Sequence, residues 1–248
     1  KLKILDINLN YKDPFNIERK KASKFILKCL DLAHNLALKG ETAGLVNCAI
    51  SKNLLNKQKI GVTEYLASKS SLKNDSEVML IINNKLSVSP ITTHINIKDI
   101  SKKLKKELII NKVKTIEFWY QKKFKKKAKI AILGLNPHNA ELRETSEERK
   151  IIIPAINKLK KLGININGPL VSDTIFINDY KKFDVIVGMY HDQVLTPSKT
   201  LFGFDAINIT LGLPFIRISP DHGPNEKMLG ENLSDPQSLI QAIKFLDK

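Results

Sequence analysis

Apolar residues recur at three- and four-residue spacing along residues 14–39, where Ala22, Phe25, Ile26, Cys29, Ala33, Leu36 and Ala37 fall on one face. That period predicts an amphipathic helix, with Gly40 placed to end it. Ahead of it, residues 1–7 read as a strand. Residues 43–48 read as a short buried strand, residues 52–57 as a short helix, and Thr63 as the hydroxyl cap of another helix. Residues 78–82 and 86–93 flank the turn-forming Asn83-Asn84-Lys85 and read as a strand pair. A long basic helical region is expected over 97–124, and residues 128–135 read as a central strand. Residues 145–161 read as a helix with a capping box, because Glu148 stands three positions after Thr145. Further buried strands are expected at 184–190 and 206–210, with a helix from 190 to 199 between them. Asp235 as N-cap and Pro236 at the first helical position open the last helix.

Helices alternating with short strands buried on both faces predict an α/β fold with a mostly parallel sheet. There is no internal repeat and no low-complexity linker. A boundary at 93–97, with a return crossing near the C-terminus, gives two lobes. The first is residues 1–95 with part of the C-terminus, and the second is residues 96–225.

At 248 residues with 42% hydrophobic positions, the chain can bury a substantial core. No apolar run reaches the ~18 residues needed to cross a bilayer, so no membrane partner is expected. The first residue is Lys1 rather than Met, and the chain is expected to lack an N-terminal segment. Cys29 and Cys48 have no metal-binding spacing; Cys29 reads as a core residue, which suits a reducing, cytoplasmic compartment. The net charge of +16 rests on lysine, since arginine occurs only at positions 19, 143, 149 and 217. Base and phosphate readout favours the planar guanidinium. The lysine runs at 102–106 and 122–127 therefore read as solvated helix faces, or as a field drawing in anionic substrates, and no nucleic-acid partner is expected.

Candidate chemistry gathers where predicted strands end. His94 follows the run 86–93, His138 follows 130–135, and His191 follows 185–190 directly. In open α/β sheets ligands bind beyond the carboxyl ends of the strands. Three imidazoles at that edge can form an open metal site, although each can instead satisfy a local hydrogen bond. His34 lies within the first helix and reads as structural; His222, in Asp221-His222-Gly223, sits in a turn that can bring it near the site. Lys199, two turns into the helix after His191, can hold a phosphate or carboxylate. Arg217 follows an apolar run and must meet an anion there, either a carboxylate of the protein or one of the substrate. There is no GxGxxG, no P-loop and no Gly-x-Ser-x-Gly elbow, so neither a classical dinucleotide fingerprint nor a serine hydrolase is indicated.

Five motifs then become specific together: Thr92-Thr93-His94, Gly134-Leu135-Asn136-Pro137-His138, Gly168-Pro169-Leu170 with Asp173-Thr174, Met189-Tyr190-His191-Asp192-Gln193, and 208–217. In order and spacing the chain resembles the 4-hydroxythreonine-4-phosphate dehydrogenase family of vitamin B6 biosynthesis, from about Pro14 to the end. The resemblance implies two α/β lobes around a cleft, like the isocitrate and isopropylmalate dehydrogenases. It implies NAD (or NADP) as cofactor and a homodimer with the site at its interface. It also implies one divalent ion (Zn, Co or Mg) on His94, His138 and His191, and substrate contacts from Thr63, Lys199, Asn208 and Arg217. The implied reaction is oxidation of 4-phosphohydroxy-L-threonine and decarboxylation to 3-amino-2-oxopropyl phosphate in the cytoplasm. Lys199, Asp173 and Asp192 are the candidate catalytic residues, the two aspartates as partners of the ligands or as proton carriers.

Three departures bear on this. The family's Gly-His-Thr-Glu reads Gly61-Val62-Thr63-Glu64, which favours a relative acting on another phosphorylated hydroxy acid, such as a threonate or erythronate phosphate. The glycine-rich stretch after Asn-Pro-His reads Asn139-Ala140-Glu141-Leu142-Arg143-Glu144. The family's N-terminal strand and its Pro/Gly-rich loop are missing, which favours a non-catalytic protein that keeps the metal and phosphate site.

Overall fold

The computed structural model describes residues 3–55, 61–70 and 77–247. The strands are β1 (Leu45–Val46), β2 (Val78–Ile82), β3 (Ser87–Thr92), β4 (Ile130–Leu133), β5 (Ile166–Leu170), β6 (Val185–Tyr190), β7 (Ile207–Leu211) and β8 (Arg217–Pro220). The helices are α1 (Arg19–Leu38), α2 (Val62–Lys69), α3 (Ile100–Lys103), α4 (Lys106–Phe124), α5 (Ile153–Lys161), α6 (Ser172–Ile175), α7 (His191–Phe202) and α8 (Gln237–Leu246). They divide into two compact units, one of residues 1–72 with 213–248 and one of residues 73–212. The C-terminus returns to the first unit, and the boundary expected near residue 95 falls inside the second.

In the first unit the opening residues from Lys3 form no strand, and α1 begins at Arg19 rather than near residue 14. Asp13 explains the delay: its carboxylate accepts the N–H of Phe15 at 2.9 Å and its carbonyl that of Asn16 at 3.2 Å. These bonds close a turn around Pro14, whose fixed φ suits that position. Leu30, His34 and Ala37 form the buried stripe of α1, while Cys29 is only half-buried. Gly40, at φ +73°, ends the helix as expected. β1 is shorter than the predicted strand and pairs in parallel with β8, Leu45 opposite Arg217. The predicted helix at 52–57 is a 3-10 turn at Lys52–Leu54, and its last two residues lie outside the described ones. Asp235 Oδ1 accepts the N–H of Gln237 at 2.8 Å, but α8 starts one position later than predicted, so Pro236 rather than Asp235 is its N-cap. Ala37, Leu45 and Leu66 form an apolar cluster with Ala33, Val62, Tyr65 and Phe215 packed on it.

The second unit is built on six strands in the order β7-β2-β3-β6-β4-β5. β3, β6, β4 and β5 run parallel, and β2 is antiparallel to both neighbours. The β2–β3 hairpin turns where predicted, because Asn83 Oδ1 accepts the N–H groups of Lys85 and Leu86. β3 and β4 are buried at every position, consistent with a sheet covered on both faces. Its core joins Ile81, Val88, Ala131, Leu133, Ile186 and Val194.

Two predicted helices are broken here. The region 97–124 is a 3-10 turn, then α3, then α4, because Leu104 leaves the helix at ψ 122° with its side chain buried. The region 145–161 is a π-helical turn, Glu148–Ile152, followed by α5. Pro154 has no N–H for an interior helical bond, and the turn ahead of it widens. The capping box is not formed: Glu148 sends its carboxylate to the turn after β4 instead.

Candidate functional site

β3, β6 and β4 are adjacent and parallel, so their carboxyl ends form one edge of the second unit. Thr92 and Tyr190 are register partners, which sets His94, two residues on, beside His191, one residue on. The two imidazoles lie 5.8 Å apart between centroids, tilted by 39°. Asp192 Oδ1 lies 2.6 Å from Nδ1 of His191. That contact places a proton on Nδ1 and leaves the Nε2 lone pair for a metal or a substrate proton. His138 follows β4 at the same edge, exposed on a turn of its own. Among the described residues no three His, Cys, Asp or Glu side chains gather closely enough to hold a metal ion. The chain thus assembles a two-imidazole pair with an acidic partner, and sets the third histidine on the neighbouring strand end. Neutral imidazoles with a carboxylate behind one of them are chemically suited to a divalent transition metal.

A cavity of about 370 Å³ opens beside His94, lined also by Ile95, Asn96, Asp99, Lys102 and Lys103. Its size falls within the range of small-molecule sites, and its ammonium groups suit the phosphate of a substrate or of a dinucleotide.

Behind this edge lies a set of hydrogen bonds that runs from buried to exposed. Thr92 Oγ1 donates to the carbonyl of Met189 at 2.7 Å, and the N–H of Met189 donates to Gln193 Oε1 at 2.6 Å. Gln193 Nε2 donates to the carbonyl of Gly134 and to Ser172 Oγ, both at 2.7 Å. Glu148 Oε1 accepts the N–H groups of Leu135 and Asn136, each at 2.8 Å. Asn136 Nδ2 donates to Glu147 at 2.8 Å, and Ser101 Oγ donates to the same carboxylate. Those two bonds hold the pKa of Glu147 below its ordinary value. A side chain at Gly134 or Gly188 would strike this layer: a Cβ would overlap Asn139 Oδ1 at the first and lie 2.6 Å from Val194 at the second. None of Thr92, Glu148, Gln193 and Ser172 stands out in the sequence as a functional residue. Thr92 and Gln193 lie inside the histidine motifs without chemistry of their own, and Glu148 matches a helix-capping pattern.

From His138 to Leu142 five successive residues, none of them glycine, have φ between 49° and 57°. This is the stretch in which the resemblance leads one to expect glycines. Each such residue carries roughly 1–2 kcal/mol of steric cost that glycine would not. Glu141 is exposed, so Glu141→Gly should stabilise the protein by about 1 kcal/mol, read as a higher urea midpoint. An unchanged or lower midpoint would contradict the left-handed turn.

The first unit carries a buried cation, Arg217. Arg217, 4% exposed, donates from Nε to Asn47 Oδ1 at 2.9 Å and from one terminal nitrogen to Thr63 Oγ1 at 3.2 Å. Burial pushes its pKa down to about 10, and the charge of Glu64 offsets part of that shift. Of the two anions open to Arg217, the protein's own carboxylate is therefore present as Glu64. Thr63 is not a helix cap, since α2 begins at Val62 and its N-cap is Gly61; its hydroxyl serves Arg217 instead. Val62 turns its side chain to the apolar cluster of Ala37, Leu45 and Leu66.

The other candidates lie farther from the histidine pair or on separate elements. Lys199 is in the last turn of α7, its Nζ 5.1 Å from the Phe204 ring, eight residues or about 12 Å of helix from His191. Asn208 is half-buried on β7 opposite Ile81. Asp173 is exposed in α6, directly after Ser172. His34 is structural as expected, buried at 3.0 Å from Ser70 Oγ and edge-on to Phe215. His222 is exposed in its turn.

With this geometry established, comparison with known proteins is specific. A relative from Sulfurihydrogenibium sp. strain YO3AOP1, called 4-hydroxythreonine-4-phosphate dehydrogenase, is 43% identical over 236 residues, 93% of this chain and 72% of its own length. One from Aquifex aeolicus with the same name is 41% identical over 85% of this chain and 66% of its own. The crystal structure of 4-hydroxythreonine-4-phosphate dehydrogenase from Klebsiella pneumoniae superposes with a TM-score of 0.82 at 29% identity, covering 94% of this chain and 72% of that one. Isocitrate dehydrogenase from Methylococcus capsulatus shares the α/β fold alone, with a TM-score of 0.51 at 11% identity over 81% of this chain and 66% of that one. Residues 1–246 match the family model described as pyridoxal phosphate biosynthetic protein PdxA, and the chain belongs to that family.

Proposed function

We propose that the chain oxidises 4-phosphohydroxy-L-threonine in vitamin B6 biosynthesis, as a cytoplasmic homodimer. The substrate's secondary alcohol loses a hydride from carbon and a proton from oxygen, and the resulting β-keto acid releases carbon dioxide to leave 3-amino-2-oxopropyl phosphate. The observation that carries this reading is the His94–His191 pair with Asp192 on Nδ1, set at the ends of adjacent parallel strands in a chain of this family.

His94, His138 and His191 would hold one divalent ion, at the interface of the dimer that the resemblance implies. When bound, the ion would supply a Lewis acid and a nicotinamide cofactor would supply a hydride acceptor. Asp192 keeps the proton on Nδ1 of His191 and so keeps Nε2 available as a donor atom. Arg217, Thr63, Lys199 and Asn208 would bind and orient the anionic substrate, and Lys102 and Lys103 raise the local concentration of phosphate-bearing molecules at the cavity beside His94. Asp173, exposed beside Ser172, is a candidate partner of the site.

Val62 favours a second substrate, a threonate or erythronate phosphate, because a valine packed into an apolar cluster gives no hydrogen bond to a ligand. The test is NADH formation, followed by absorbance, with each phosphorylated acid in turn and with or without added divalent metal. Metal-dependent turnover of 4-phosphohydroxythreonine is expected. Turnover of only a threonate or erythronate phosphate would move the assignment to the second substrate, and none with any would leave a binding protein.

A further inference from the structure

We propose that Glu148 and Gln193 are positioning residues that clamp the turn after β4 and thereby fix His138 and His191. The proposal rests on the three-histidine reading above and adds the residues that make it rigid.

Glu148 is fully buried. Burying a carboxylate is costly unless donors surround it. Its donors here are the N–H groups of Leu135 and Asn136 at 2.8 Å and the Asn136 amide at 3.0 Å. All of them belong to the Gly134–His138 stretch rather than to the helix on which Glu148 stands. From the opposite side, Gln193 takes hold of the carbonyl of Gly134. Three successive residues are thus gripped through their backbone, which leaves side-chain identity at Leu135 free and geometry fixed.

Two residues beyond the gripped segment stands His138, left-handed at φ 50°. A strained conformation persists only where its surroundings over-determine it, and the two clamping side chains supply that constraint from the segment leading into it. Gln193 also lies two residues after His191 and uses its whole amide: Oε1 on Met189, Nε2 on Gly134 and Ser172. Because Thr92 hydrogen-bonds the same Met189, the mounting of His94 is tied into the layer. A ligand set displaced by about 1 Å loses much of its metal affinity, and outer partners of metal sites typically contribute about 10–100-fold.

The test titrates Co2+ into the whole chain by calorimetry and measures amide hydrogen exchange at Leu135 and Asn136. Glu148→Ala and Gln193→Met should each weaken Co2+ binding about 10–100-fold and speed exchange at those amides. Glu148→Gln, which keeps an oxygen for both N–H groups, should restore affinity to within a few-fold of wild type. Should Glu148→Ala fail to fold, the folded Gln193→Met and Glu148→Gln proteins carry the comparison. Wild-type Co2+ affinity in Gln193→Met and Glu148→Ala, alongside its loss in His138→Ala, would overturn the clamp and leave the histidine site standing. No Co2+ binding by the wild-type protein would instead overturn the histidine site, and the clamp's function with it.

Discussion

Arg217→Ala is expected to destabilise the protein by about 3–5 kcal/mol and to abolish turnover. The guanidinium is buried among Asn47, Thr63 and the field of Glu64, so its removal takes one donor each from Asn47 and Thr63 and a positive charge from beside Glu64. The loss would appear as a lower urea midpoint followed by circular dichroism. Arg217→Lys should recover part of the stability, because it keeps the charge but cannot reach Asn47 and Thr63 with a planar fork. Burial also depresses the pKa of Arg217 to about 10. The cation is therefore held at a cost, and an anion that binds to it offsets that cost. Inorganic phosphate should raise the midpoint of the wild-type protein and leave Arg217→Ala unmoved. Equal stabilisation of both proteins would place the phosphate elsewhere.

His191→Ala should remove metal binding and turnover together, with turnover lowered by about 1,000-fold or more. Its ring is the member of the His94 pair that Asp192 orients, and an alanine there leaves His94 with no adjacent imidazole donor. Calorimetry with Zn2+ or Co2+ reads the first loss and NADH formation the second. Metal affinity that survives His191→Ala would remove this residue from the ligand set. His222→Ala, in an exposed turn, should change neither.

Much of this arrangement is legible in the amino-acid sequence. The strands ending at His138 and His191 announce themselves through apolar runs and the one ending at His94 through its turn-bounded position, and the alternation of elements is enough to place those ends on one edge. Predicted boundaries fail where a side chain takes a partner outside its own element. Asp13 turns the chain ahead of α1, burial of Leu104 splits the long basic helix, and Glu148 leaves its cap for Leu135 and Asn136. A capping box and a buried clamp have the same residues at the same spacing; only the position of β4 separates them. Arg217 is legible as a buried cation, whereas Asn47, 170 positions away, is not, because that contact depends on the pairing of β1 with β8. The left-handed run after Asn136-Pro137 is hidden for the opposite reason: of Asn-Ala-Glu-Leu only Asn139 favours it locally.

The pairing of β2 with β7 has a consequence for how the gene can be handled. Val78 lies opposite Leu211, so the second unit begins and ends on neighbouring strands. A continuous segment with adjacent termini is a cassette: it can be excised, circularly permuted or grafted into another host loop without reaching across its own core. His94, His138 and His191 travel with that cassette, while Thr63 and Arg217 stay behind in the host. Recombination at two points would therefore exchange the three histidines as one block and leave Arg217 untouched.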